Sequence, residues 1–367
     1  MCSCLHTDTT WSLRRPVRVP GVVRDASKMA MWHAMGVAIL LVAVAGGHLE
    51  ELWHMKDRLV PADDEVLWVT TDTAQSRSLL AGEQRLFAPS ARPRDAAAAI
   101  STSRFARHVL ALADWRAVVS TGALIAVPFL TLARARGTPS HFLESAARAT
   151  GPSLSGRIVE RIPGIQCYSP YPRWSRPPWV YRGSVFDGFA PAPPVAPRLE
   201  KVVVTVGTST YGFGRLFERL IDVLPAGCEV VWQAGGTDLS LLVGRRNDHA
   251  CHYLSVSELA QAMVDADLVV CHGGVGSALR ALEAGRAPLL VPRRARYGEH
   301  VDDHQVEISR ELAGRGLATS SDVEGIDLLT LRSAAAKRVT LVGAPPPFFL
   351  EPASSESDAV GGARASA

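Results

Sequence analysis

The run Asp267-Leu-Val-Val-Cys-His-Gly-Gly-Val-Gly-Ser-Ala-Leu-Arg-Ala-Leu-Glu-Ala-Gly-Arg-Ala-Pro-Leu-Leu-Val-Pro292 constrains this chain more than any other segment. A short apolar stretch rich in β-branched residues passes directly into a glycine turn. A helix-spaced pattern follows and closes at Gly285, and a second apolar run precedes Pro292. Strand, turn, helix and strand in that order make a βαβ unit, whose crossover returns the second strand parallel to the first. Gly273, Gly274 and Gly276 allow a close approach to the backbone. Ser277 and the free amides of the helix start make a site suited to a diphosphate. The competing reading is a tight turn that binds nothing; His272 at its edge favours the ligand.

The same grammar recurs along the chain. Its 367 residues are more than twice the usual domain length, so at least two cores are expected. In the first half, apolar runs at 37–45, 65–70, 117–120 and 139–144 read as strands, and 49–60 and 128–136 as helices. In the second half, strands are expected at 201–206, 229–232, 268–271 and 289–291. Helices are expected at 215–224, at 257–265 with Ser257 as cap, and at 277–284. Between them, 186–200 is crowded with proline and lacks helical periodicity, so it reads as a linker. The expected class is α/β: two Rossmann-like, doubly wound parallel-sheet domains, at 31–185 and 201–340, facing each other across a cleft that holds ligands. Residues 1–30 read as an arm, with Met29, Met31 or Met35 as alternative starts, and 341–367 as a disordered tail.

Several function classes are excluded by counting. Thirty-nine basic against 36 acidic residues leave a net charge of +3, too small for a protein that coats nucleic acid. Six scattered cysteines suit a reducing compartment, and Cys2-x-Cys4 alone is no metal or lipidation motif. The apolar stretch 29–45 is interrupted by His33 and stops at Gly46-Gly47, which suits a buried strand better than a membrane span. Gly207 to Gly212 has the step of a P-loop, but Phe213-Gly214 stands where Lys-Ser/Thr is required. Gly274-Val-Gly276-Ser-Ala-Leu279 lacks the third glycine of the dinucleotide fingerprint. Nothing in the spacing of the acidic, histidine and cysteine residues suggests a bound metal, so none is expected.

In its motifs the chain resembles the inverting GT-B glycosyltransferases of the peptidoglycan N-acetylglucosaminyltransferase type, that is, glycosyltransferase family 28. Closer still is the likeness to the two-subunit transferases of dolichol-linked and exopolysaccharide assembly, here fused. In the C-terminal half the likeness rests on Val206-Gly207-Thr208, His272-Gly-Gly-Val-Gly-Ser277, Gly285-Arg-Ala-Pro288 and Gly298-Glu-His-Val-Asp-Asp-His-Gln305. In the N-terminal half it rests on Gly46-Gly47-His48, Ser120-Thr-Gly122, Pro128, Glu144-Ser145 and Pro152-Ser-Leu-Ser-Gly156.

The resemblance implies a UDP-sugar in the C-terminal domain and a polyprenyl-diphosphate-linked acceptor docked on the N-terminal domain at a membrane surface. Carried over by position, Gly207, Thr208, His272, Gly273, Gly274, Gly276 and Ser277 would hold the nucleotide and diphosphate. Glu299, His300, Asp303, His304 and Gln305 would face the donor sugar. Gly46, Gly47, His48, Thr121, Gly122 and Ser145 would hold the acceptor. One position departs: relatives carry a glutamate for the ribose hydroxyls where this chain has Arg280. Either Glu283 replaces it or Arg280 meets a phosphate or an acidic sugar, so UDP-glucuronate, UDP-glucose and UDP-galactose stand beside UDP-N-acetylglucosamine.

Inverting displacement needs a base for the acceptor hydroxyl and dipoles for the departing UDP. His48, at the first glycine turn, and Glu144, at a strand end, are equal candidates for the base, with a phosphate-binding role open for His48 and a helix-charge role for Glu144. No cofactor beyond the donor substrate is expected. From 82 to 150, nine arginines face four acidic residues. Set beside Leu86, Phe87, Phe105, Leu110 and Trp115, they suit docking on an anionic leaflet, against the plainer reading of a solvated face. The expected location is cytoplasmic, peripheral on the inner face of the plasma membrane. Two other classes remain: a nucleotide-sugar 2-epimerase, and a non-catalytic UDP-sugar-binding scaffold.

Overall fold

The computed structural model describes residues 38–89, 96–244, 248–343, 345, 348 and 350. The arm expected over 1–30 lies outside the described residues, as do nearly all of the expected tail and positions 29–37 of the apolar stretch. The first half contains β1 (Ala38–Val42), α1 (Gly47–Leu59), β2 (Glu65–Thr71), α2 (Ala74–Leu79), β3 (Arg85–Ala88) and α3 (Ala96–Val109). Then come β4 (Trp115–Ser120), α4 (Ala126–Ala135), β5 (Ser140–Leu143), α5 (Leu154–Val159), β6 (Ile165–Ser169) and β7 (Trp179–Tyr181). The seven strands form one parallel sheet in the order β3-β2-β1-β4-β5-β6-β7. Central β1 is apolar along its length because it is covered on both faces, which explains its membrane-like sequence. Leu40 and Val42 join the core under α3 and α4, while Ile39 and Leu41 join the core under α1.

The second half continues with β8 (Phe189–Ala192), β9 (Lys201–Thr205), α6 (Gly214–Val223), β10 (Glu229–Gln233), β11 (His249–Cys251), α7 (Val256–Asp265) and β12 (Leu268–His272). It ends with α8 (Val275–Glu283), β13 (Leu289–Val291), α9 (His304–Gly314), β14 (Thr319–Ser320), α10 (Leu328–Ala336) and β15 (Arg338–Leu341). Its six-stranded parallel sheet runs β11-β10-β9-β12-β13-β14. Both sheets therefore start at the centre, wind outward one way and then the other. The reversal falls between β1 and β4 in the first and between β9 and β12 in the second. At such a switch point the connections diverge to opposite faces and open a crevice at the strand C-termini. The two Rossmann-like, doubly wound parallel sheets expected from the sequence are present.

Within the linker expected over 186–200, β8 pairs antiparallel with β15, so the segment leaving the first domain is fastened to the end of the second. Two expectations need correction. Helix α7 is capped by Ser255, not Ser257. The Ser255 side chain accepts from the Glu258 amide, and Glu258 reaches back to the Ser255 amide, a reciprocal pair that fixes the start two residues earlier. Leu86, Phe105, Leu110 and Trp115 are buried in the N-terminal core and offer no surface to a membrane. Their neighbours Arg116 and Arg134 bond internally, to Asp64 and to the Pro163 carbonyl.

The domains also share apolar contact. Ala146, Ala149 and Tyr171 of the first belong to the same buried cluster as Ile308 and Leu312 of α9. No helix among the described residues is long and apolar enough to cross a membrane.

Candidate functional site

The two switch points open onto one cleft of about 530 Å³, lined from the first domain by Gly46, Gly47 and Glu50 and from the second by Gly207, Thr208, His272, Gly274 and Ser277. Sequence positions from the two halves of the chain meet here because each lies at or just past the C-terminal end of a central strand.

His48 lies in the first turn of α1, just past Gly46, whose φ of +108° admits glycine readily. Its Nδ1 is 2.8 Å from the Thr121 carbonyl oxygen, and the Thr121 hydroxyl donates in return to the His48 carbonyl at 2.7 Å. Nδ1 therefore carries the proton and donates it to Thr121, leaving Nε2 with a lone pair. Gly122, at φ +116°, is obligatory beside it: a Cβ there would stand 3.3 Å from the imidazole Cε1. Burial pushes the His48 pKa down to about 4, with His304 and Arg148 adding to the effect, so the ring is neutral at pH 7.

Across the cleft, α8 begins at Val275 with Gly274 as its extended N-cap and no capping side chain, so its first amides have no side-chain partner. Gly207, at φ +72°, leaves room for the His272 ring, which a Cβ would meet at 2.7 Å. Gly274 makes room for the same ring, and Gly273 for the Gln305 carbonyl at 2.6 Å. These glycines are thus demanded by internal packing as well as by any ligand. Burial and the Arg293 charge push His272 down to about 3, and its Nδ1 has no hydrogen-bond partner among the described residues. Arg293 is fully buried and donates to the carbonyls of Val206, Tyr211 and Glu299, tying the loops after β9 and β13 into one wall.

Gly276 has a reason the sequence did not disclose. A Cβ there would lie 2.8 Å from Cγ of Glu50, a residue of the opposite domain. Glu50 Oε1 accepts from Arg280 of α8 and from Gln75 Nε2, the latter at 2.9 Å. Its side chain is 3% exposed, and Oε2 has no hydrogen-bond partner among the described residues. Arg280 therefore meets a protein carboxylate supplied by the other domain. Glu283, the expected replacement for the missing glutamate, turns instead to His54 Nδ1 at 3.0 Å.

Other expected site residues are engaged elsewhere. Glu144 is 4% exposed; its oxygens accept from the amides of Ser145 and Ser153 at 3.1 and 2.8 Å, and burial pushes its pKa up to about 7. It secures the loop after β5 and lines a small separate cavity, not the main cleft. Ser145 donates to Glu51 at 2.6 Å, and Glu51, also accepting from the Ala146 amide, is pushed by burial up to about 8. Glu299 bonds Arg215, Asp303 accepts from the Ala295 amide, and Gln305 accepts from the Arg293 amide at 3.0 Å. His300 and His304 converge with Asp302, which pairs with Arg148 of the first domain at 3.1 Å. Sequence reasoning missed Glu50, Gln75 and Tyr253 as cleft residues. Only Glu50 left a trace: two adjacent carboxylates, Glu50 and Glu51, interrupt the apolar face of α1 and are both buried.

Residues 201–332 match the glycosyltransferase family 28 C-terminal domain. Among curated proteins, the chain is 34% identical over 108 residues to a UDP-N-acetylglucosamine–N-acetylmuramyl-(pentapeptide) pyrophosphoryl-undecaprenol N-acetylglucosamine transferase of Ralstonia nicotianae, covering 27% of this chain and 28% of that one. It is 30% identical over 128 residues to the UDP-N-acetylglucosamine transferase subunit ALG13 of Yarrowia lipolytica, covering 31% and 63%. A Pseudomonas putida transferase of the first kind is 27% identical over 211 residues, covering 55% and 57%. In each case the match spans less than two thirds of the relative's own length. Among solved structures, MurG of Acinetobacter baumannii superposes with a TM-score of 0.52 at 20% identity, covering 81% of this chain and 89% of that one. A kitacinnamycin glycosyltransferase gives 0.53 at 17% identity, covering 82% and 89%. The fold is that of these two-domain glycosyltransferases.

Proposed function

We propose that this chain, with its family 28 C-terminal domain in a GT-B frame, is an inverting glycosyltransferase that moves a hexosyl unit from a UDP-sugar to a polyprenyl-diphosphate-linked saccharide. The observation that carries the reading is the shared cleft, with the uncapped α8 amides on one wall and, on the other, the Gly46-Gly47 turn that leads directly into tautomer-fixed His48. The names of the three relatives describe UDP-N-acetylglucosamine transferases, in two cases with pyrophosphoryl-undecaprenol in the name.

In this reading the donor diphosphate lies on the amides of Gly274 to Ser277, where the helix dipole stabilises the charge that develops on the departing UDP. The acceptor hydroxyl oxygen bonds to the anomeric carbon as the bond to UDP breaks, and its proton passes to His48 Nε2. The new imidazolium is offset by the diphosphate charge in the same cleft. No resident cofactor is assigned to this step. The apolar wall of Leu254, Val256 and Leu259, with the unpartnered Tyr253 hydroxyl, suits a nucleobase. Glu50 Oε2 is the nearby acceptor for a donor hydroxyl, taking over from the glutamate that Arg280 displaces.

The lipid-linked acceptor places the enzyme at the cytoplasmic face of the plasma membrane, bound peripherally. With Leu86, Phe105, Leu110 and Trp115 buried, the docking face falls to exposed Ile100 of α3 and Leu154 and Ile158 of α5, beside Arg157 and Arg161. Helices α3, α4 and α5 pack side by side on one face of the first sheet.

The test is incubation with each of four labelled UDP-sugars, of N-acetylglucosamine, glucose, galactose and glucuronate, with polyprenyl-diphosphate saccharides. Label entering the lipid extract with inverted configuration supports transfer. Conversion of UDP-N-acetylglucosamine without acceptor would establish the epimerase, and UDP binding with no incorporation from any donor would establish the scaffold.

A further inference from the structure

The segment entering α9 places ligand-type side chains at alternate positions, His300, Asp302 and His304, and the structure folds them onto one point. One ligand atom from each of the three side chains lies within 4.8 Å of the other two. Both imidazole nitrogens turn toward the same carboxylate oxygen, His300 Nδ1 at 3.5 Å and His304 Nδ1 within hydrogen-bond distance. The rings meet edge to face with centroids 4.8 Å apart, and each histidine side chain is 19% exposed.

Two features separate this arrangement from ordinary hydrogen bonding. A single oxygen cannot satisfy both nitrogens well, and buried His300 Nδ1 finds no hydrogen-bond partner among the described residues. The second carboxylate oxygen, Oδ2, is held by Arg148 of the other domain at 3.1 Å, which fixes the carboxylate and leaves Oδ1 facing the imidazoles. Arg148 also opposes a cation by its charge, but it addresses the oxygen that a cation would not use.

We propose that His300, Asp302 and His304 form a three-ligand site for a divalent transition-metal ion, zinc foremost, at the boundary between the two domains. Two imidazole nitrogens and one carboxylate oxygen are a donor set for zinc, cobalt or manganese, whereas magnesium and calcium favour oxygen alone. To coordinate, the three atoms draw in to about 2.0–2.2 Å from the ion. His304 then carries its proton on Nε2, and Nδ1 is freed as a ligand. The remaining positions are left to water or an anionic ligand. Because Arg148 anchors Asp302 from the first domain, the ion fastens the loop before α9 at the domain boundary. It takes no part in the transfer step.

The test uses the full chain, freed of metal by chelator dialysis and of any purification tag. Cobalt is titrated through its visible d–d absorption, with zinc as competitor and the melting temperature as second readout. Wild type takes up one equivalent that zinc displaces, and zinc raises the melting temperature. His300→Ala, His304→Ala and the isosteric Asp302→Asn each lose that equivalent, while circular dichroism confirms that they fold. His249→Ala/His252→Ala, beside Cys251, retains it. Absence of a stoichiometric cobalt signal in wild type, or uptake undiminished in His300→Ala and His304→Ala, overturns the proposal and leaves a hydrogen-bonded His–Asp–His cluster only.

Discussion

Glu50 on the first helix of one domain and Arg280 on the helix after the glycine turn of the other are hydrogen-bonded across the cleft. With side chains 3% and 10% exposed, neither charge has solvent to fall back on. Removing one partner of such a buried pair costs about 3–5 kcal/mol, because the other charge stays behind. Glu50→Ala and Arg280→Ala should each destabilise strongly, and the double variant by clearly less than the sum. Urea denaturation arranged as a double-mutant cycle measures the coupling; additive losses would show that the pair does not hold the domains together.

His48 should matter to rate and not to donor affinity. Truncation to alanine is expected to lower kcat by about 10²–10⁴-fold while UDP affinity is unchanged. The base is active when unprotonated, and burial sets its pKa near about 4. Activity should therefore hold from pH 8 through 6.5 and fall only as the pH nears that value. Steady-state kinetics across pH decide; an inflection at the ordinary histidine value would show that the ring is solvated and not clamped by Thr121.

The α8 turn should be intolerant of bulk. Ser277→Phe fills the space over the first amides and is expected to abolish UDP binding by calorimetry without lowering the melting temperature. Gly274→Ala, whose Cβ meets the His272 ring, should both destabilise the fold and weaken UDP.

Glu51 and Glu144 give stability a pH signature. Their folded pKa values, about 8 and about 7, are raised above the unfolded 4.5, so the fold favours their protonated forms. That contribution is complete below pH 4.5 and is lost as the pH rises through the folded values. Between pH 5 and 8 the melting temperature of the wild type should fall more steeply than that of Glu51→Gln or Glu144→Gln, reflecting on the order of a few kcal/mol. Parallel slopes in all three proteins would mean that these carboxyls ionise freely.

Much of this architecture was legible because parallel, doubly wound sheets write themselves as buried runs punctuated by glycine. Leu268–His272 and Ala38–Val42 could be placed, and so could the turns that follow them. The partners of those turns could not. Glu50 reads as a solvated helix residue until the second domain is seen against it, and Gly276 reads as a phosphate glycine until its Cβ meets that side chain. Glu144 carries the charge and strand-end position of a base, yet its bonds to two amides make it a loop fastener. Short edge elements such as Phe189–Ala192 lacked a signal because proline obscured them; their pairing with Arg338–Leu341 is a tertiary fact.

The most direct test of the account is a crystal structure of the chain soaked with UDP. The diphosphate is expected on the amides of Gly274 to Ser277, facing His48 across the cleft. A nucleotide bound at any other place, or the same cleft remaining without it at saturating UDP, would contradict the assignment.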